Sequence, residues 1–93
     1  STAGQMGQLV VLRGTPLVVG REPGVDVLLD EPSVSRKHAR LEPRPDGVYR
    51  LTDLGSSNGT FVNGVRLQAG PVHNGDRVQF GKVVFLFLTG ESL

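Results

Sequence analysis

Apolar and polar positions alternate along several short stretches of the chain. In His38-Ala39-Arg40-Leu41-Glu42 the period is two. Asp76 to Phe80 sets Val78 and Phe80 on one face and Arg77 and Gln79 on the other. Such a period sends successive side chains to opposite faces of a strand. Lys82 to Leu88 is apolar on both faces and predicts a central strand. Gln8 to Arg13 and Thr15 to Gly20 predict a first hairpin. Asp46-Gly47, Asn58-Gly59, Asn63-Gly64 and Asn74-Gly75 punctuate the pieces. Each pair suits a hairpin turn with positive φ at both central residues. Pro32-Ser33 ahead of Val34 has the form of a helix start, with Ser33 as cap. The alternation from His38 and the proline at 43 favour instead a loop feeding a strand. Many short strands at close spacing predict an all-β sandwich.

Composition limits the alternatives. Thirteen glycines and six prolines cut the 93 residues into short pieces, leaving room for at most one helix, since helices average about 11–12 residues. Residues 1–7 are small, polar and patternless, and are expected to be a linker or remnant; residues 8–90 are expected to form one domain and 91–93 a tail. The absence of cysteine excludes disulfides, thiolate catalysis and cysteine-ligated zinc. Two histidines are too few for a self-contained histidine metal site, so no metal and no cofactor is expected. A net charge of +1 does not suggest a general nucleic-acid or membrane binder. The missing cysteines and the lack of a basic-then-apolar opening lead to an expectation of a reducing, cytoplasmic setting.

Three stretches carry polar groups suited to an oxyanion: Val19-Gly20-Arg21, Ser33 to His38, and Gly55 to Thr60. Arginine offers a planar fork that grips two phosphate oxygens. Serine adds a hydroxyl donor, and glycine-bearing turns add backbone N–H groups. Residues 33–44 hold Arg36, Lys37, Arg40 and Arg44 against a single acid, Glu42. Taken alone, each stretch is an ordinary loop; together at one end of a sandwich they would make a pocket for one phosphorylated side chain.

In this order and spacing the stretches resemble the forkhead-associated (FHA) domain. The resemblance is carried by Val18-Val19-Gly20-Arg21, Ser33-Val34-Ser35-Arg36-Lys37-His38-Ala39, Leu54 to Gly64 and Gly75 to Gly81, and extends over residues 9–89. It implies a sandwich of two twisted, mainly antiparallel sheets with about eleven short strands and ligand loops at one end. It also implies a recognition module, part of a larger protein, that binds phosphothreonine in an extended segment of a partner protein for kinase-dependent assembly or signalling. On that resemblance, Arg21, Ser35, Arg36 and Ser57 would bind phosphate, Asn58 the peptide main chain, and Gly20, His38 and Gly59 would support the site. The family often has asparagine where Arg36 stands. Glu22, Lys37 and Asn63 are candidates for choosing among flanking residues. A small apolar slot between the second and third loops would take the threonine methyl.

Two other readings compete. Ser35, His38 and Asp53 have the residue types of a nucleophile, a base and its orienting acid, but no glycine-flanked nucleophile elbow surrounds Ser35. Gly55 to Thr60 lacks the lysine of a P-loop. The chain is therefore not expected to be an enzyme. The alternative is a phosphate-independent assembly domain on the same fold.

Overall fold

A computed structural model describes residue 12 and residues 14–88. Nine strands are present among them: β1 (Leu17–Gly20), β2 (Val27–Leu28), β3 (Ala39–Pro43), β4 (Tyr49–Asp53), β5 (Thr60–Val62), β6 (Val65–Arg66), β7 (Ala69–Val72), β8 (Arg77–Phe80) and β9 (Val83–Leu86). There is no helix among the described residues, and Ser33 to Lys37 is a loop feeding β3. The strands form a five-stranded sheet in the order β2-β1-β3-β4-β7 and a four-stranded sheet in the order β6-β5-β8-β9. All pairings are antiparallel except β1 with β2. This is the expected all-β sandwich, with nine strands in place of about eleven.

The alternating residues meet between the sheets. Val19, Ala39, Leu41, Tyr49, Leu51 and Val72 are buried from one side, and Val62, Val78, Phe80 and Phe87 from the other. Tyr49 and Phe87 meet edge to face with ring centroids 5.4 Å apart, an arrangement that aromatic quadrupoles favour. Pro71 has no N–H to donate and lies on β7, at the margin of its sheet.

Two expectations change. Among the described residues the apolar run 82–88 does not form a central strand: β9 ends its sheet, and Val84, Leu86 and Leu88 are exposed. Only Val83, Phe85 and Phe87 pack on the core. Among the described residues β1 pairs with β2 and β3, and the expected first hairpin would add Gln8–Arg13. Apart from Leu12, Gln8–Arg13 lies outside the described residues, as do the expected linker 1–7 and tail 91–93. Of the four turn pairs, only Asn63-Gly64 has positive φ at both residues, 50° and 82°. It joins β5 to its neighbour β6. Asn58-Gly59 and Asn74-Gly75 lie on connections from one sheet to the other, where hairpin twist is not required. Asp46-Gly47 belongs to a longer β3–β4 loop in which Gly47 N donates to Arg44 O at 3.0 Å.

The register fixes which loops share an end. Ala39 pairs with Asp53 and Thr60 with Phe80, so the loops leaving Gly20, Asp53 and Phe80, and those entering Ala39 and Thr60, gather at one end. The turns at 46–47, 63–64 and 74–75 fall at the other end.

Candidate functional site

At the first end, Arg21, Glu22, Ser35, Arg36, Lys37, Gly55 and Ser57 line a solvent-open cavity of about 560 Å³. The three polar stretches therefore meet. Gly20 is what lets the first approach the second: a Cβ there would stand 2.0 Å from the Arg36 carbonyl oxygen. Arg21 N then donates to Ser35 O at 3.0 Å, and Arg21 Nε to Val34 O at 2.8 Å. The Nε bond fixes the plane of an exposed guanidinium whose terminal nitrogens form no ion pair among the described residues.

The second stretch joins the third through Ser35. Its hydroxyl oxygen accepts Ser57 N–H at 3.1 Å, and its own proton stays unspent beside the cavity. Arg36 N–H makes no hydrogen bond among the described residues, and the Arg36 side chain is exposed. Lys37 Nζ lies 3.9 Å from Glu22 Oε2 across the rim. The lining thus sets three cations against one acid. No lining residue carries an apolar side chain, so these residues do not form the slot expected for a methyl group.

His38 is fully buried behind the cavity, edge to face with Phe80 at 5.7 Å. Its Nδ1 accepts Ser35 N–H at 3.0 Å, which assigns the ring proton to Nε2, and Nε2 donates to Gly59 O at 2.8 Å. The imidazole lone pair is therefore occupied by a backbone amide and is not directed at the Ser35 hydroxyl. Asp53 is turned to Ser56 and Thr60. The three groups do not form a nucleophile, base and acid relay. Among the described residues no cluster of three or more histidine, aspartate or glutamate side chains is arranged to hold a metal ion.

Asn58 is exposed at the edge of the cavity, not in its lining. Its Nδ2 donates to Ser33 O at 2.8 Å, while Oδ1 carries no hydrogen bond among the described residues. Gly59 has φ 94°, and a Cβ there would fall 2.9 Å from the Arg66 Nε, so both backbone angle and space favour glycine. Asn63 is not brought to the site. It sits in the β5–β6 turn at the far end, where Nδ2 donates to Asp76 Oδ1 and Oδ1 accepts Arg77 N–H.

Two residues outside the candidate set hold the loops. Ser33 is buried; its hydroxyl accepts Lys82 N–H at 2.9 Å and its carbonyl takes Asn58. Asp53 accepts from the hydroxyls of Ser56 and Thr60 and from the amides of Gly55 and Ser56. Partial burial pushes its carboxyl up, but the hydrogen bonds from Ser56, Thr60 and Gly55 outweigh this and bring it below the ordinary aspartate value. The signal for Asp53 was present: an aspartate two and three residues ahead of free amides is the spacing of an Asx turn.

Comparison with known proteins agrees with this geometry. The family model for the FHA domain matches residues 17–81. The glycogen accumulation regulator GarA of Mycolicibacterium smegmatis is 47% identical over 73 residues, covering 76% of this chain and 44% of that protein. An oxoglutarate dehydrogenase inhibitor of Corynebacterium diphtheriae is 38% identical over 95 residues, covering 90% of this chain and 66% of its own length. The chain thus spans about half to two thirds of these relatives. Among solved structures, the FhaA FHA domain complexed with the intracellular domain of Rv3910 superposes with a TM-score of 0.79 at 30% identity, covering 86% of this chain and 87% of that one. Mycobacterium tuberculosis EmbR in complex with a low-affinity phosphopeptide superposes with a TM-score of 0.77 at 32% identity, covering 84% of this chain and 21% of that one. From the three converging loops, the sandwich that carries them and these likenesses together, the chain belongs to the FHA domain family.

Proposed function

We propose that this domain binds a phosphothreonine side chain of a partner protein in the cavity between Arg21, Ser35, Arg36 and Ser57. The observation that carries the reading is the set of donors left unspent around one cavity: the Arg21 terminal nitrogens, the Ser35 hydroxyl proton and the Arg36 amide. A phosphate dianion consumes such donors, and each charge-assisted hydrogen bond contributes about 1.5–3 kcal/mol. Arg21 supplies the fork. Ser35 and the Arg36 amide close on the remaining oxygens, and Ser57 extends the rim. The Asn58 Oδ1 accepts a main-chain N–H from the bound segment and so sets its path. Glu22 and Lys37 face the residues flanking the phosphate.

Binding is the whole of this role, without turnover, and it makes assembly depend on a kinase. Threonine is preferred over serine through the stiffer χ1 of a β-branched side chain and through its methyl group, worth about 0.8 kcal/mol when covered by the bound segment and residues beyond the polar lining. The test is calorimetry with one peptide pool in three forms: phosphothreonine, phosphoserine and unphosphorylated. The expected order is phosphothreonine, then phosphoserine about fourfold weaker, then no measurable binding. Equal affinity for the unphosphorylated pool would reject phosphate recognition and favour phosphate-independent assembly.

A further inference from the structure

The hydrogen bonds behind the cavity form a directed circuit. The Ser56 hydroxyl donates to Asp53 Oδ1, which leaves the Ser56 oxygen to accept Gly59 N–H at 3.0 Å. The Gly59 carbonyl accepts His38 Nε2–H at 2.8 Å, and His38 Nδ1 accepts Ser35 N–H at 3.0 Å. The Ser35 hydroxyl oxygen accepts Ser57 N–H at 3.1 Å, and Ser57 is covalently next to Ser56, where the path began. Every bond points the same way around this loop, and Asp53 is its one ionised acceptor. Asp53 makes no ion pair among the described residues; neutral donors alone surround it.

We infer that Asp53 is a positioning residue for phosphate recognition, acting through Ser56, Gly59 and His38 to set the Ser35 amide and hydroxyl on the opposite loop. As an acceptor with no proton to give, its carboxylate commits the Ser56 and Thr60 protons and, with the Gly55 and Ser56 amides, holds the loop that places the Gly59 carbonyl against His38 and the Ser57 amide against Ser35. At the end of that sequence the Ser57 amide holds the Ser35 hydroxyl oxygen beside the cavity, with its proton available to a ligand.

This inference rests on the phosphate reading, but the two are separable by experiment. A carboxylate at the anion-binding end should weaken phosphate binding by simple Coulomb repulsion. Removing its charge with Asp53→Asn would then raise affinity. A positioning role reverses that sign, because asparagine replaces one acceptor oxygen by a donor and cannot hold both the hydroxyls and the amides. Affinity of the whole chain for a phosphothreonine peptide pool should fall about tenfold in Asp53→Asn. Ser56→Ala should reproduce the loss, and Ser56→Thr, which keeps the hydroxyl, should restore binding to within about twofold. In ligand-free nitrogen-15 spectra, Asp53→Asn should shift the Ser35 amide and the His38 ring nitrogens. Unchanged or higher affinity in Asp53→Asn, or spectral changes confined to residues 53–60, would overturn the inference. Should the wild-type chain bind no phosphothreonine peptide, the phosphate reading fails, and the ligand-free spectra still decide whether Asp53 orders Ser35.

Discussion

At both ends of the sandwich a carboxylate gathers the loops around it, yet the two ends are built for different tasks. At the far end Asp76 accepts His73 N–H at 2.8 Å and Asn63 Nδ2 at 3.1 Å, with the His73 ring 3.8 Å away. Its bonds tie the β5–β6 turn to the β7–β8 connection. At the near end Asp53 also accepts amides from its own loop, but its hydroxyl donors lead onward through His38 to a second loop. The far network fastens strands together. The near one transmits a geometry to groups that still have protons to give.

His38→Ala should do the most damage, because it removes a fully buried ring that joins the near-end loops. Stability should fall by about 3–5 kcal/mol, read by urea unfolding, and phosphopeptide binding should go with it. Much of the total of a small domain would be lost. A melting curve matching wild type would mean that the near-end loops do not depend on this ring. Arg21→Ala separates recognition from folding. It should weaken phosphothreonine peptide binding by about 100-fold while calorimetric melting shifts only slightly, since the side chain is exposed. Retained affinity would refute the phosphate site.

Asp76→Asn is the far-end control. It should cost about 1–2 kcal/mol of stability and leave peptide affinity as it was. If affinity dropped along with stability, the division between the two ends would collapse. Acid gives the same contrast. Hydrogen bonds from the His73 amide lower the Asp76 carboxyl, as those from Ser56, Thr60 and Gly55 lower Asp53. A depressed folded value means that these bonds stabilise above the unfolded value of about 3.9 and are lost as pH falls through the folded value. Melting temperature should hold down to about pH 4 and then decline, less steeply in Asp76→Asn. The smallest effect belongs to Glu22→Gln, which frees Lys37 and removes the one acid lining the cavity. Affinity should rise about two- to threefold, as expected for an exposed pair, and the gain should vanish in high salt.

Much of the architecture could be read from the chain. Period-two stretches such as Ala39 to Pro43 and Arg77 to Phe80 became strands because their apolar side faces the core. Lys82 to Leu88 misled because a run of apolar residues cannot say whether its second face will be covered. Here Val84, Leu86 and Leu88 face outward. The loops around Arg21, Ser35 and Ser57 were recognisable from their residues in order. Asn63 was not separable from them by sequence, since an Asn-Gly pair near Gly59 gives no distance along a strand, and three residues of β5 carry it to the far end. Asp53 was visible in the sequence only as an aspartate at Asx-turn spacing from Gly55 and Ser56. Its partnership with His38 through Ser56 and Gly59 depends on loops brought together by both sheets, which no local spacing encodes.

The void left by Gly20 has a consequence for anyone who would redesign specificity. The carbonyl of Arg36 occupies the room a side chain at position 20 would need, so the strand end and the serine loop are cast against each other like the halves of a mould. A transplanted first segment must therefore end on glycine at position 20, because any side chain there would collide with the Arg36 carbonyl.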